Sequence, residues 1–396
     1  MPMPMPVPVP VSCPYPTLTW TEAGVARTAR WRSENGTAVP KRVDVVGDQT
    51  RADDALRLAR AGTALLWRGD YHSARLLLQA MGRRLDRASE RGVSTPAAAE
   101  QGSVTDQFHR HRLLQAQRAR LLSALLVELD GDYAIGLRRA PDLRQACEEA
   151  FGSPDGVASV VSLRELLGLV GAHEWRKKGV SIPAVDGRIH AHYGVFSPVR
   201  GEYIDLVAAA ALPSLDLAFD IGTGTGVLAA VLARRGVRRV VATDLDARAL
   251  ACAADNLQRL GLSKQVELTQ ADLFPAGRAP LVVCNPPWLP GKPSAGIEHA
   301  VYDPDSRMLR GFLRGLSAHL TPGGQGWLVL SDLAEHLGLR RRGELLAWID
   351  EAGLRVLGCP SIRPRHPKAS DASDVLHAAR SAEVTSLWQL AAKANV

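Results

Sequence analysis

Long apolar runs are missing from this chain of 396 residues: none approaches the roughly 20 consecutive residues with which a helix crosses a bilayer. Cysteine is sparse as well. Its five copies, Cys13, Cys147, Cys252, Cys284 and Cys359, are odd in number and widely scattered. No CxxC pair and no Cys/His cluster offers the spacing of a zinc site, so no metal is expected, and a reducing, cytoplasmic setting fits better than a disulfide framework. The start, MPMPMPVPVPVSCPYP, has no charged segment followed by a continuous apolar stretch, so it does not read as a secretory signal. Its alternation of proline with Met or Val predicts a polyproline-like tail, and residues 1–50 are expected to be Pro-rich and poorly ordered. No internal repeat is evident.

What is present is enough for a globular protein of two parts. The hydrophobic fraction is 46%, which supplies ample apolar surface for a core, and the length allows two domains. A net charge of +7 permits an RNA or ribosomal partner without establishing one.

Residues 51–180 read as a mainly helical module. ADDALRLARAGTALLWRGDYHSARLLLQAMGRRL predicts two amphipathic helices broken near Gly69 and Asp70, and FHRHRLLQAQRARLLSALLVEL a longer one. PDLRQACEEAF and VASVVSLRELLGLVGAHEW continue the helical pattern. His109, His111 and the arginines beside them fit a solvated helix face. Around Lys178–Asp186 the text shifts to Gly, Pro and short β-rich pieces. Residues 187–396 then alternate strand and helix patterns: LDLAFDI, RVVATD, QVELTQAD, PLVVCN and GWLVLSD as strands, with GVLAAVLARR, ARALACAADNLQRL, MLRGFLRGLSAHL and GELLAWIDEAG as helices. LRVLGCP and EVTSLWQL are two late strands. Such alternation predicts an α/β domain with a mainly parallel sheet, covered by helices and binding its ligand at the carboxyl ends of the strands.

Three segments at those strand ends carry chemistry. In AFDIGTGTGVLAAVL, Asp220 ends a strand and Gly222, Gly224 and Gly226 turn the chain into a helix. The spacing is G-x-G-x-G, with Val227 where a dinucleotide fingerprint has its last glycine. A carboxylate two residues before the first glycine repels a pyrophosphate and attracts a cation. Asp244 ends the next strand, 22 residues after Gly222, where an acid typically grips a ribose diol. Asp246 competes for that role but suits the N-cap of the following helix. Asp272 ends ELTQADLF and is placed to accept from an exocyclic adenine amine, with Leu273 as a backbone donor. A capping or turn role is the alternative for Asp272.

The fourth segment is VVCNPPWLP, in which an apolar run ends abruptly at Asn285, Pro286, Pro287 and Trp288. Two prolines stop regular structure and remove backbone donors. With these motifs in this order, the chain resembles the class I S-adenosylmethionine-dependent methyltransferases that carry an Asn-Pro-Pro-aromatic motif. That group methylates amines of adenine or guanine in nucleic acids and glutamine side chains in proteins. The resemblance covers about Tyr193 to Leu390 and implies a Rossmann-like seven-stranded, mostly parallel sheet with an antiparallel final strand. It implies S-adenosyl-L-methionine held by Asp220, Gly222, Thr223, Gly224, Gly226, Asp244, Leu245, Asp272, Leu273 and Asn285. YGVFSPVRGEYIDLV looks like the segment those enzymes use over the methionine end of the cofactor; its Pro198-Val199-Arg200-Gly201-Glu202 matches the Pro-Arg and Thr-Glu of the glutamine enzymes only loosely. Trp288 departs from the usual Tyr or Phe.

Physical chemistry explains the proline corner. The lone pair of an amide or aryl amine is delocalised, so the nitrogen needs acceptors that hold its N–H groups and aim it at the methyl carbon. The Asn285 oxygen and the Pro286 carbonyl are two such acceptors, the prolines fix their position, and the Trp288 ring offers a stacking face. The expected catalytic set is therefore Asn285, Pro286, Pro287 and Trp288, with no strong base. CPSIRPRHPK adds Arg363, Arg365, His366 and Lys368 as phosphate contacts or, alternatively, a solvated loop. The helical module would be the substrate reader, by analogy with relatives that carry such appendages. The substrate reading favours a base in RNA or a ribosome-associated substrate, with a protein glutamine as alternative and a catalytically silent cofactor-binding protein as a further one. A NAD-dependent oxidoreductase is disfavoured by the glycine spacing.

Overall fold

The computed structural model describes residues 16–93, 102–293, 298, 300–365 and 374–393. Contacts divide the chain into one compact unit of Met1–Ala88 with Arg118–Gly168 and a second of Ser89–Gln117 with Leu169–Val396. The proline-rich start, 1–15, lies outside the described residues, as do His366 and Lys368. Among the described residues no helix is long and apolar enough to cross a membrane.

The first unit contains helices where the helical pattern is strongest, α1 (Ala52–Arg60), α2 (Tyr71–Val93), α3 (Val104–Leu122, shared with the second unit) and α4 (Arg144–Phe151). In α1, Asp53 and Asp54 occupy the first turn and Arg57 and Arg60 the last, charges that suit the helix dipole. Residues 51–180 are mainly helical, but they also hold three strands that the helical pattern did not announce, β4 (Ala64–Trp67), β5 (Leu125–Leu129) and β6 (Ser159–Ser162), which join β1 (Thr17–Glu22), β2 (Val25–Trp31) and β3 (Val43–Val46). They form one sheet in the order β1-β2-β6-β5-β4-β3. Three of these strands lie within residues 16–50, so that stretch is ordered sheet rather than a loose tail, with Leu18, Trp20 and Trp31 in its core. β4, β5 and β6 are hidden in the text for a local reason. ALLW and SVVS are buried at every position and LLVEL at all but one, and an uninterrupted apolar piece of four or five residues reads the same as the face of an adjoining helix.

The chain returns to the second unit within α5 (Leu163–Lys178), which is followed by a small hairpin of β7 (Val180–Ile182) and β8 (Gly187–Ile189) and by α6 (Glu202–Ala209). Then come β9 (Leu217–Ile221), α7 (Val227–Arg234), β10 (Arg239–Asp244), α8 (Ala247–Arg259), β11 (Val266–Gln270), β12 (Ala279–Cys284), α9 (Arg307–His319) and β13 (Leu320–Ser331). The end of the chain adds α10 (Leu333–His336), α11 (Arg342–Glu351), β14 (Leu354–Gly358), β15 (Ser361–Ile362), α12 (His377–Ala382) and β16 (Thr385–Ala392). Each strand and helix expected from residue 187 onward is present.

The sheet runs β11-β10-β9-β12-β13-β16-β14, seven strands, with the two-residue β15 pairing β16 as an eighth. β11, β10, β9, β12 and β13 are parallel, and β16 runs antiparallel between β13 and β14. This is the Rossmann-like, mostly parallel sheet with an antiparallel final strand. Its central strands are buried on both faces, which is why they lack a polar stripe. Leu281 and Val283 of β12 and Trp327 and Val329 of β13 pack on one face with α7. Val282, Cys284, Leu328 and Leu330 pack on the other with Leu309, Phe312 and Leu316 of α9.

Candidate active site

Parallel pairing brings the carboxyl ends of β9, β10, β11 and β12 to one edge. The register sets Asp220 level with Ala242 and Val283, and Ile221 level with Thr243 and Cys284. Asp220, Asp244 and Asn285 therefore reach the same edge because each stands at or just past the end of its strand. A cavity of about 1080 Å³ opens there, lined by Asp220, Gly222, Thr223, Gly224, Asp244 and Leu245, with Asp272, Leu273, Asn285 and Pro287.

The glycine turn is built around positive φ. Gly222, Gly224 and Gly226 have φ of 70°, 54° and 79°, a region that costs an L side chain about 1–2 kcal/mol. A Cβ on Gly222 would meet the Met308 Cε at 2.5 Å, and one on Gly226 the Cβ of Ala253 in α8 at 3.1 Å. The first glycine keeps the cavity floor open and the third lets two helices approach. Asp220 is nearly fully buried and accepts on Oδ2 from the Thr223 hydroxyl at 2.7 Å and the Ala229 N–H at 3.0 Å. Burial pushes its carboxyl up to about 6.

Asp244 accepts from the Gly224 N–H at 2.9 Å on one oxygen and from the Asp246 N–H at 3.0 Å on the other, so its carboxylate is aimed by the turn opposite. Burial raises its pKa too. Asp246 caps α8, accepting from the Arg248 N–H at 2.8 Å, the role its position suggested. Thr243, unnoticed in the sequence, is buried and donates to the Leu273 carbonyl at 2.5 Å, tying the β10 end to the loop after β11. Leu273 itself has a φ of 76°.

Asp272 is exposed and accepts from Arg307 at 2.7 Å. Arg307 opens a row on α9: Arg307, Arg310 and Arg314 all line the cavity. The spacing i, i+3, i+7 stands in RMLRGFLRGL, where by itself it marks one face of a helix and does not say what that face lines. Arg248 lines the opposite wall and lies 5.8 Å from the centre of the Tyr193 ring.

At the proline corner, Pro286 is buried, while Asn285 and Pro287 line the cavity. The Trp288 Nε1–H donates to the Asn285 side-chain oxygen at 2.9 Å. Its ring packs against the cores on both sheet faces and carries Arg200 above it, with Cζ 5.7 Å from the ring centre. Trp288 thus sits behind Asn285 as a support. Beyond the corner the Leu289 N–H donates to the Val301 carbonyl at 3.0 Å and the Asp303 N–H to the Leu289 carbonyl at 2.9 Å. Arg112 donates to the Lys292 carbonyl at 2.9 Å and lies 4.0 Å from the centre of the Tyr302 ring.

The late basic segment is held apart from these residues. Arg365 donates its N–H to Glu202 at 2.5 Å and pairs with Asp205 at 3.6 Å, while Arg363 is exposed. Lys368 lies outside the described residues. No group of three or more His, Cys, Asp or Glu among the described residues is arranged to hold a metal ion.

Strand order and an edge carrying D-x-G-x-G-x-G, a second acid and Asn-Pro-Pro-Trp agree with the resemblance to class I methyltransferases. More narrowly, residues 186–341 match the family model of the methyltransferase small domain. A release factor glutamine methyltransferase of Cereibacter sphaeroides is 33% identical over 181 residues, 42% of this chain and 63% of that protein. A ribosomal protein L11 methyltransferase of Pelotomaculum thermopropionicum is 48% identical over 69 residues, 17% of this chain and 22% of that protein. The chain spans less than two thirds of the length of either relative. Among solved structures, a ribosomal protein L11 methylase of Lactobacillus delbrueckii subsp. bulgaricus is 17% identical over 52% of this chain and 86% of that one, at a TM-score of 0.36.

Proposed function

We propose that this protein is an S-adenosylmethionine-dependent N-methyltransferase acting on a planar amine or amide of a ribosome-associated macromolecule. The observation that carries this reading is the Asn285 amide oxygen, held by Trp288 at the mouth of a cavity whose floor holds Asp220, Asp244 and the glycine turn. The residues fit the cofactor. A cation suits the buried Asp220 carboxylate, Asp244 is an oriented acceptor for a diol, and Gly222 lines the cavity at a point where a Cβ would meet Met308. When bound, the cofactor supplies an electrophilic methyl group on a sulfonium.

The chain's own residues then have three tasks. Asp220 and Asp244 bind and orient. Leu273 and the wall of α9 exclude water from one side of the cavity. Asn285 accepts an N–H of the incoming nitrogen with the oxygen lone pair that Trp288 leaves free, which aligns the nitrogen lone pair for in-line attack. The nitrogen loses its proton once it carries positive charge, so no strong base is needed.

The arginine row at the cavity wall supports a phosphate-bearing substrate, an RNA base within a ribosome-associated assembly, with Arg363, Arg365 and Lys368 as further phosphate contacts. The second reading is a protein glutamine, favoured by the likeness to release factor glutamine methyltransferases. In either case residues 51–180 are the proposed substrate reader and the setting is cytoplasmic. Incubating the protein with methyl-tritiated S-adenosylmethionine and extract of a strain lacking it tests both readings. Nuclease-sensitive label supports RNA, protease-sensitive label supports glutamine, and absence of label with either refutes the proposal.

A further inference from the structure

We infer that Arg200 is a positioning residue, which, anchored by Glu383, clamps the Trp288 ring and so fixes the orientation of the Asn285 side-chain amide at the cavity. The observation begins far from the proline corner. Glu383, just before β16, is 1% exposed, yet both its oxygens are committed. Oε1 accepts from the Ser331 hydroxyl at 2.6 Å, and Oε2 accepts from Arg200 Nη2 at 2.9 Å. The Ser331 oxygen in turn accepts from the Leu333 N–H at 3.0 Å. A buried carboxylate tied to the end of β13 and the start of α10 is a fixed post, and a charge-assisted bond to it fixes the guanidinium.

Arg200 then covers Trp288, 5.7 Å from the ring centre, within the range of a cation–π contact. The ring cannot tilt away, so its Nε1–H stays on Asn285 Oδ1 at 2.9 Å. That bond matters because an Asn amide has two orientations related by a half-turn, one presenting an acceptor and the other a donor. Only a donor from behind selects the acceptor. Phe or Tyr at position 288 has no ring N–H to play this part. Arg200 also explains why the loop before α6 carries a charged residue against a half-buried aromatic: the pair with Glu383 balances its charge.

This inference rests on the reading of Asn285 as the group that holds the substrate nitrogen, but its first test does not. Two-dimensional NMR of the full-length, 15N-labelled protein resolves indole N–H resonances, and the Trp288 signal is assigned by its loss in Trp288→Phe. Arg200→Ala should shift that resonance and speed its solvent exchange at least tenfold while leaving other indoles in place. Glu383→Gln should act in the same direction, and Arg200→Lys should restore part of the protection. In methyl transfer, kcat for Arg200→Ala should fall about tenfold while the dissociation constant for S-adenosylmethionine stays within twofold. An unchanged Trp288 resonance in Arg200→Ala overturns the inference. So does a shift of every indole together with lost cofactor binding, the mark of a merely structural role. If Arg200→Ala does not fold, Arg200→Met, which keeps the stem and removes the charge, is read in its place. A wild-type protein that transfers no methyl group refutes the proposed function, whereas the indole measurement still decides the clamp.

Discussion

The indole of Trp288 donates to the side-chain oxygen of Asn285 at 2.9 Å, three residues back along the same proline corner. The aromatic residue of this motif therefore supports the amide from behind, while the amide faces the cavity.

Removing the indole donor while keeping a ring should disorder the amide without emptying the core. Trp288→Phe is expected to lower kcat about tenfold, the value of one oriented hydrogen bond of about 1.4 kcal/mol. Trp288→Ala should also lower the melting temperature, since the ring packs on both faces of the sheet. Steady-state kinetics with thermal melts separate the two effects.

Asp244 should matter for cofactor binding and little for the chemical step. In Asp244→Ala the acceptor opposite the glycine turn is gone, and the Gly224 and Asp246 N–H groups lose their partner. Calorimetry should give a dissociation constant for S-adenosylmethionine weaker by about 10- to 100-fold, or about 1.4–2.7 kcal/mol. Equal affinity in the variant would remove Asp244 from the site.

The pH dependence follows from Asp220. Its carboxyl is raised to about 6 by burial, so it is mostly ionised at pH 7.5 and mostly protonated at about pH 5. Affinity for the cationic cofactor should hold near neutrality and fall as the pH drops through about 6. Folding responds with the opposite sign. A pKa above the ordinary 3.8 gives a stabilising contribution present below 3.8 and lost as the pH rises through about 6. Asp220→Asn should flatten both trends in titrations of binding and melting.

Gly226→Ala probes the turn. The new Cβ would adopt a φ of 79° and meet Ala253 at 3.1 Å, for an expected loss of about 1–3 kcal/mol in urea unfolding. A loss below about 0.5 kcal/mol would mean that α7 and α8 shift freely.

From residue 187 onward the architecture was legible because each strand is closed by its own signal: Asp220 and a glycine, Asp244, Asp272, Asn285 and a proline. Parallel strands then carry those terminators to a common edge, where Asp220, Asp244, Asp272 and Asn285 line one cavity. The first unit resisted for the converse reason. β4, β5 and β6 are short, buried and continuous in text with the helices beside them. The support of Trp288 was equally hidden, because Arg200 and Glu383 stand 183 residues apart and meet only through the insertion of β16 beside β13. The arginine row on α9 was written plainly at helical spacing, but its relation to the cavity depends on how α9 packs against the sheet.

The central claim is that Asn285 aligns a nitrogen for methyl transfer from S-adenosylmethionine. The most direct test compares wild type and Asn285→Ala for cofactor affinity and for incorporation of tritiated methyl from S-adenosylmethionine into extract of a strain lacking the protein. The account predicts affinities within about threefold of one another and incorporation lowered by about 100-fold or more in the variant. Equal incorporation by the two proteins would contradict it.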